Sequence, residues 1–277
     1  SKCSGRRKFV GILAMEENKK FKLVSSKKTR YLLPNILTLA GVCLGISSIK
    51  FSIDGNFIVA VTLILFAAIL DALDGRIARL IKGTSEFGKE LDSLTDFVSF
   101  GIAPVFILYF WELKNYGKLG WAITLIYSVC CVLRLARFNL TKIDEMNEWK
   151  YNFFEGIPSP AGGLLILMPL IYELTNLSIG IDMKKITPYL TIVIAILLVS
   201  KIPTLAFKKI SISPKGTVFL LLGIGVIFIA LLFYTLETLL IFGIFYLASI
   251  PVSIIIYNNQ NKKNKEKISE DNHEDIL

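Results

Sequence analysis

The sequence predicts an all-α polytopic membrane protein with about eight transmembrane helices, in a range of roughly six to eight. Three observations carry this expectation. Hydrophobic residues make up 53% of the 277-residue chain and the mean hydropathy is +0.60, above the roughly 45–50% apolar share of an ordinary globular domain. The apolar residues come in long runs rather than amphipathic periods, and several runs reach the roughly 20 residues a helix needs to cross a bilayer. The net charge of +9 is gathered between and beside these runs, which is the pattern of basic flanks on membrane helices rather than of a nucleic-acid face.

Three regions are expected: a basic amino-terminal segment (1–30), a membrane domain (31–257) and a charged tail (258–277). The first segment lacks the apolar core of a cleavable signal peptide. Pro34 opens the first span, which runs to Ile53, since proline suits a first helical turn. Asp54-Gly55-Asn56 is a tight turn. The second span begins at Phe57 and continues helically to Leu80, because DALDGRIARL contains no strong stop. Gly83-Thr84-Ser85 breaks it, and Thr84 or Ser85 can cap the third span, which reaches Trp111. A fourth span covers Leu119 to Phe138, and a polar and aromatic stretch, Asn139 to Gly156, leads through GIPSPAGG into a fifth that ends near Leu174. Further spans fall at 187–205, 216–234 and 236–257, and the Lys-, Asn- and Glu-rich tail has the composition of an unfolded segment.

Eight spans put both ends of the chain on one side. The basic residues of loops and tails crowd that side, against Lys114, Lys118, Lys184 and Lys185 on the other. The positive-inside rule then puts both tails, the 82–90 connection and the 139–156 loop in the cytoplasm. Tyr109, Trp111 and Trp121, near span ends, read as interface anchors.

Cys43, Cys130 and Cys131 lie inside apolar runs, and no Cys-x-x-Cys spacing exists. The single histidine, His273, is in the tail. Histidine-based catalysis and a His-ligated zinc site are thereby excluded, and the cysteines read as small buried hydrophobes.

Against this apolar background stands the stretch from Asp71 to Asp96, DALDGRIARLIKGTSEFGKELDSLTD. Asp71 and Asp74 are three residues apart, and Asp92 and Asp96 four apart, so each pair shares a helix face. The second helix descends and the third returns through a short connection, which brings the two faces together at similar depth. A carboxylate costs about 2.5–3.5 kcal/mol at the centre of a membrane helix, and four together also repel. Divalent cations between them remove both penalties. Oxygen-only ligands favour a hard ion, Mg²⁺ or Mn²⁺, and two such ions held by shared carboxylates recur in phosphoryl transfer. Gly75 and Gly88 offer bare backbone to a bulky anion, and Arg79 a forked donor set for phosphate. The competing structural reading is that the acids form salt bridges with Arg76, Arg79 and Lys89.

Asp71, Asp74, Gly75, Ala78, Arg79, Gly88, Asp92 and Asp96 fit the pattern D-x-x-D-G-x-x-A-R, eight residues, G-x-x-x-D-x-x-x-D. This resembles the signature of the CDP-alcohol phosphatidyltransferase family at every position. Segments 31–41, 68–76, 85–104, RLARFN (134–139) and GIPSPAGG (156–163) resemble its bacterial phosphatidylserine synthase branch, and the likeness is good over about residues 30–175. The resemblance implies metal ligation by Asp71, Asp74, Asp92 and Asp96, with Asp96 also the general base. It implies that Gly75, Ala78, Arg79 and Gly88 line the site for CDP, and that the protein is a homodimer with a polar cavity open to the cytoplasm. The substrates implied are CDP-diacylglycerol and L-serine, among membrane lipids.

Asn35 and Thr38, one turn apart, are candidates to face the nucleotide, with helix packing as the equal alternative. Arg134 and Arg137, three apart, are candidates to clasp the acceptor's carboxylate, with snorkelling anchors as the alternative. Asn139 and Ser159 join them as acceptor-side candidates, although turn chemistry also accounts for Ser159. Other acceptors used within the family, glycerol phosphate or inositol, remain as alternatives. An ion-coupled transporter would instead spread its acids across the bilayer and show inverted repeats, and neither is present.

Overall fold

In the computed structural model, the described residues are 32–81, 85–140, 153–175, 180, 182–205 and 214–274. Helix α1 (Leu32–Ile53) turns through Asp54–Asn56 into α2 (Phe57–Leu80). Asn56 caps α2, its Oδ1 accepting from the Val59 amide. The third span is α3 (Glu86–Asp96), a π-helical turn (Phe97–Ile102) and α4 (Ala103–Trp111), followed by α5 (Lys118–Leu140). Next come the short strand β1 (Phe153–Glu155), α6 (Ser159–Ile166), α7 (Met168–Leu174) and α8 (Met183–Val199). Strand β2 (Pro203–Leu205), α9 (Pro214–Phe233) and α10 (Thr235–Glu274) complete the order.

Five of these segments are long and apolar enough to cross a bilayer: α1, α2, α3–α4, α5 and Thr235–Asn261 of α10. With the shorter α6–α7, α8 and α9 they make up the expected eight apolar segments, and the protein is an all-α polytopic membrane protein. The exposed surfaces of α1, α5, α9 and α10 carry Leu, Ile, Val and Phe, as lipid-facing helices require.

Three boundaries differ from expectation. The fifth span is broken at Leu167, just before Pro169, which cannot donate a helical hydrogen bond. The sixth ends at Val199 rather than 205, because Pro203–Leu205 pairs antiparallel with Phe153–Glu155. The charged tail is helical to Glu274 instead of unfolded: Lys and Glu are good helix formers and the span supplies the nucleus. Tyr109 and Trp121 stack edge to face at 5.4 Å, so they are packed on each other as well as set near span ends. Residues 1–30 and 141–152 lie outside the described residues.

Close helix packing brings α1 against the third span. A Cβ on Gly45 would lie 3.0 Å from Ser99 Oγ and 3.1 Å from its Cα, and one on Gly41 3.3 Å from Thr95 Cγ2. Gly41-x₃-Gly45 thus meets Thr95-x₃-Ser99, small residues on both sides. The π turn beyond Asp96 loosens the backbone ladder, and neighbouring hydroxyls take up its carbonyls. Tyr127 Oη donates to Phe100 O (3.0 Å) and Ser128 Oγ to Gly101 O (3.4 Å).

Candidate active site

Asp71 and Asp74 project from α2, and Asp92 and Asp96 from α3. Helical spacing aligns each pair, and the capped turn at Ser85 sets α3 on its course: Ser85 Oγ accepts from the Gly88 amide at 3.0 Å. One ligand oxygen each from Asp71, Asp74 and Asp92 lies within 4.8 Å of the other two. Asp96 completes the group from the inner side, where its carboxyl meets that of Asp71. Its Oδ1 is buried and receives no hydrogen bond among the described residues.

The salt-bridge alternative does not describe this cluster. Lys89 pairs with Glu86 at 2.8 Å, and Arg79 Nε donates to the Gly75 carbonyl of its own helix at 3.0 Å. Arg76, Arg79 and Leu80 line an open recess at the exposed end of α2. What surrounds the acids instead is a set of single hydrogen bonds. Thr38 Oγ1 on α1 donates to Asp74 Oδ2 at 2.6 Å, and both residues are buried. Ser159 Oγ, at the start of α6, donates to Asp96 Oδ2 (2.9 Å) and accepts from Arg134 Nη1 (2.6 Å). Arg134, on α5, is 9% exposed.

Three carboxyl groups gathered this closely, with Asp96 beside Asp71 and one of its buried oxygens lacking a donor, make a site of strong negative potential. The donor set is all oxygen, with no histidine or thiol among the ligands. It fits a hard divalent cation.

The other expected residues divide into two groups. Asn35 Oδ1 would sit 3.4 Å from a Cβ on Gly88, so α1 lies close over the start of α3, and beside Gly75 an added Cβ would meet nothing within 4 Å. Ala78 is half-buried one turn further along α2. These residues rim the acids. Arg137 and Asn139 are drawn elsewhere. Arg137 donates to the carbonyls of Val199 (2.6 Å), Ser200 (3.1 Å) and Glu155 (3.3 Å), binding the end of α5 to the end of α8 and to β1. Asn139 Nδ2 donates to Ser93 Oγ at 3.0 Å. Neither the π turn nor the packing of Gly41-x₃-Gly45 is among the sequence-based expectations. The glycine spacing is visible in the sequence, whereas a π turn carries no periodic signal.

The chain is similar to known proteins. A Helicobacter pylori (strain ATCC 700392 / 26695) protein named CDP-diacylglycerol–serine O-phosphatidyltransferase is 33% identical over 238 residues, covering 83% of this chain and 97% of that protein. Proteins of the same name from Mycobacterium leprae (strain TN) and Bacillus subtilis (strain 168) are also similar. The first is 39% identical over 188 residues (66% of this chain, 61% of that protein), the second 33% over 178 (64% and 92%). The family model described as CDP-alcohol phosphatidyltransferase matches residues 31–255, which include every helix of the acidic site. The chain therefore belongs to the CDP-alcohol phosphatidyltransferase family of enzymes.

Proposed function

We propose that the protein transfers the phosphatidyl group of CDP-diacylglycerol to the hydroxyl of L-serine, giving phosphatidylserine and CMP. The observation that carries this is the acidic cluster with a buried, hydrogen-bonded extension: Asp71, Asp74 and Asp92 within 4.8 Å, then Asp96, Ser159 and Arg134 in a chain. The shared name of the H. pylori, M. leprae and B. subtilis relatives supports serine as the acceptor.

Asp71, Asp74, Asp92 and Asp96 would hold Mg²⁺ or Mn²⁺, two ions by preference. Bound there, the ions supply charge neutralisation to the pyrophosphate and to the departing CMP. The chain's own groups do the rest. Gly75, Ala78 and Gly88 leave room for the CDP moiety, Arg79 offers it donors, and Asn35 and Thr38 close over it from α1. The Ser159 hydroxyl occupies one lone pair of Asp96 Oδ2 and so orients the carboxylate. Asp96 removes the proton from the serine hydroxyl. A new bond forms from that oxygen to the phosphorus bearing the diacylglycerol group, the bond from phosphorus to the CMP oxygen breaks, and CMP leaves with the electron pair. General-base assistance of this kind is worth roughly 10²–10⁴ in rate.

The basic flanks support a site and both chain ends on the cytoplasmic face of a bacterial inner membrane, where CDP-linked and amino-acid substrates are available. Family membership supports a homodimer. The test is CMP release from CDP-diacylglycerol by the purified chain, with L-serine, glycerol 3-phosphate or inositol added in turn, with and without a divalent ion. Serine- and metal-dependent release is expected. Release with another acceptor but not serine would reassign the acceptor within the family.

A further inference from the structure

The acceptor side of the site is walled by a helix far along the chain. Helix α10 packs on α6, α7 and β2. Gly243, Tyr246, Ile250 and Ser253 follow at spacings of three, four and three, which puts them on one face. Ile250 and Ser253 are buried, and Gly243 packs where Met168 of α7 leaves no room for a Cβ. That face is the one turned to the protein.

Tyr246 lies on it, and its hydroxyl oxygen is buried with no hydrogen-bond partner among the described residues. Thr204 is its neighbour, but the Thr204 hydroxyl donates to the Gly156 carbonyl at 2.8 Å and so gives the phenol oxygen no hydrogen. A buried hydroxyl left without a partner has lost its hydration uncompensated, so such a group calls for a partner that completes it. Arg134 and this hydroxyl lie within electrostatic range of each other. Arg134 is buried and commits Nη1 to Ser159, while its guanidinium carbon lies 5.5 Å from the Phe138 ring. The rest of its donor fork is unspent among the described residues. A buried guanidinium with open donors beside a phenol with an open donor is a recognition set for a small carboxylate. It adjoins Ser159 and Asp96, so an amino acid held there by its carboxylate has its hydroxyl on the Asp96 side.

We infer that the Tyr246 hydroxyl, carried in by α10, joins Arg134 to form the subsite for the carboxylate of the acceptor amino acid. The inference rests on the serine reading of the preceding section. It makes Tyr246 a specificity-determining residue: glycerol phosphate and inositol have no carboxylate for this pair to grip, whereas leaving either donor unpaired penalises those acceptors.

The experiment is steady-state CMP release by the full-length protein in detergent–lipid micelles, comparing wild type with Tyr246→Phe. The variant should raise the KM for serine about tenfold while kcat and the KM for CDP-diacylglycerol stay within about twofold. Serinol, which keeps the ammonium and hydroxyl but lacks the carboxylate, should be used equally by the two proteins. A serine-dependent wild type whose serine KM is unchanged in Tyr246→Phe overturns this inference alone. So does a variant in which both KM values and the unfolding temperature shift together, since that is a packing effect. A wild type that ignores serine but uses glycerol 3-phosphate or inositol overturns the acceptor reading, and this inference with it.

Discussion

A single threonine hydroxyl holds one of the clustered acids. Thr38 reaches across from α1 to Asp74 at 2.6 Å, fixing which carboxylate oxygen stays available. Hydrogen bonds that orient metal ligands typically matter by 10–100-fold. Thr38→Val should therefore raise the concentration of Mg²⁺ or Mn²⁺ needed for half-maximal CMP release by about that factor, with thermal stability little changed. Asp96→Asn keeps the shape but not the base, and should lower kcat by roughly 10²–10⁴ with CDP-diacylglycerol affinity retained. A near-normal kcat would remove the base assignment. The gathering of Asp71, Asp74 and Asp92 was legible because a charge inside an apolar run needs an explanation, and their spacing supplied one. The separate fates of Arg134 and Arg137 were not legible. They differ by three positions on one helix, yet one reaches Ser159 and the other three backbone carbonyls, and only tertiary neighbours decide that.

Among elements, the π turn at Phe97–Ile102 stands out, because it follows Asp96 directly and so sets the angle at which the acidic half of the span joins the apolar half. Single π turns are frequent at functional sites, and they leave backbone carbonyls in need of donors. Tyr127→Phe removes the donor to Phe100 O and should cost about 1–3 kcal/mol of stability, read as a lower unfolding temperature in detergent and a reduced kcat. No periodicity in FVSFGI announces a π turn. It arises because small residues on both sides, Gly101 against Cys131 and Gly163 against Phe100, let the backbones come close. The β1–β2 pair escaped notice for a related reason. Three-residue strands carry no period, and this one is held by Gly156, whose φ of +77° and crowded Cβ position suit glycine alone.

At the scale of the whole molecule, the eight apolar segments and their order were plain from hydropathy, since the bilayer demands continuous apolar length. How the later segments close on the earlier ones was not. Arg137 ties α5, α8 and β1 together at one end of the bundle. Arg137→Ala should lower stability by about 1–3 kcal/mol, measured by thermal unfolding, with a smaller change in the serine KM than Arg134→Ala gives. The Arg134–Ser159–Asp96 chain has a consequence for how the protein is made. Asp96 leaves the ribosome well before Arg134 and Ser159, so the acidic hairpin α2–α3 emerges without the groups that later compensate it, with only Thr38 already present. A nascent chain halted after α4 should be poorly retained by the membrane, and one halted after α7 firmly held, as extraction of stalled chains would reveal. The order of synthesis thus exposes the most costly part of the protein first, and the helices that follow are what let it stay.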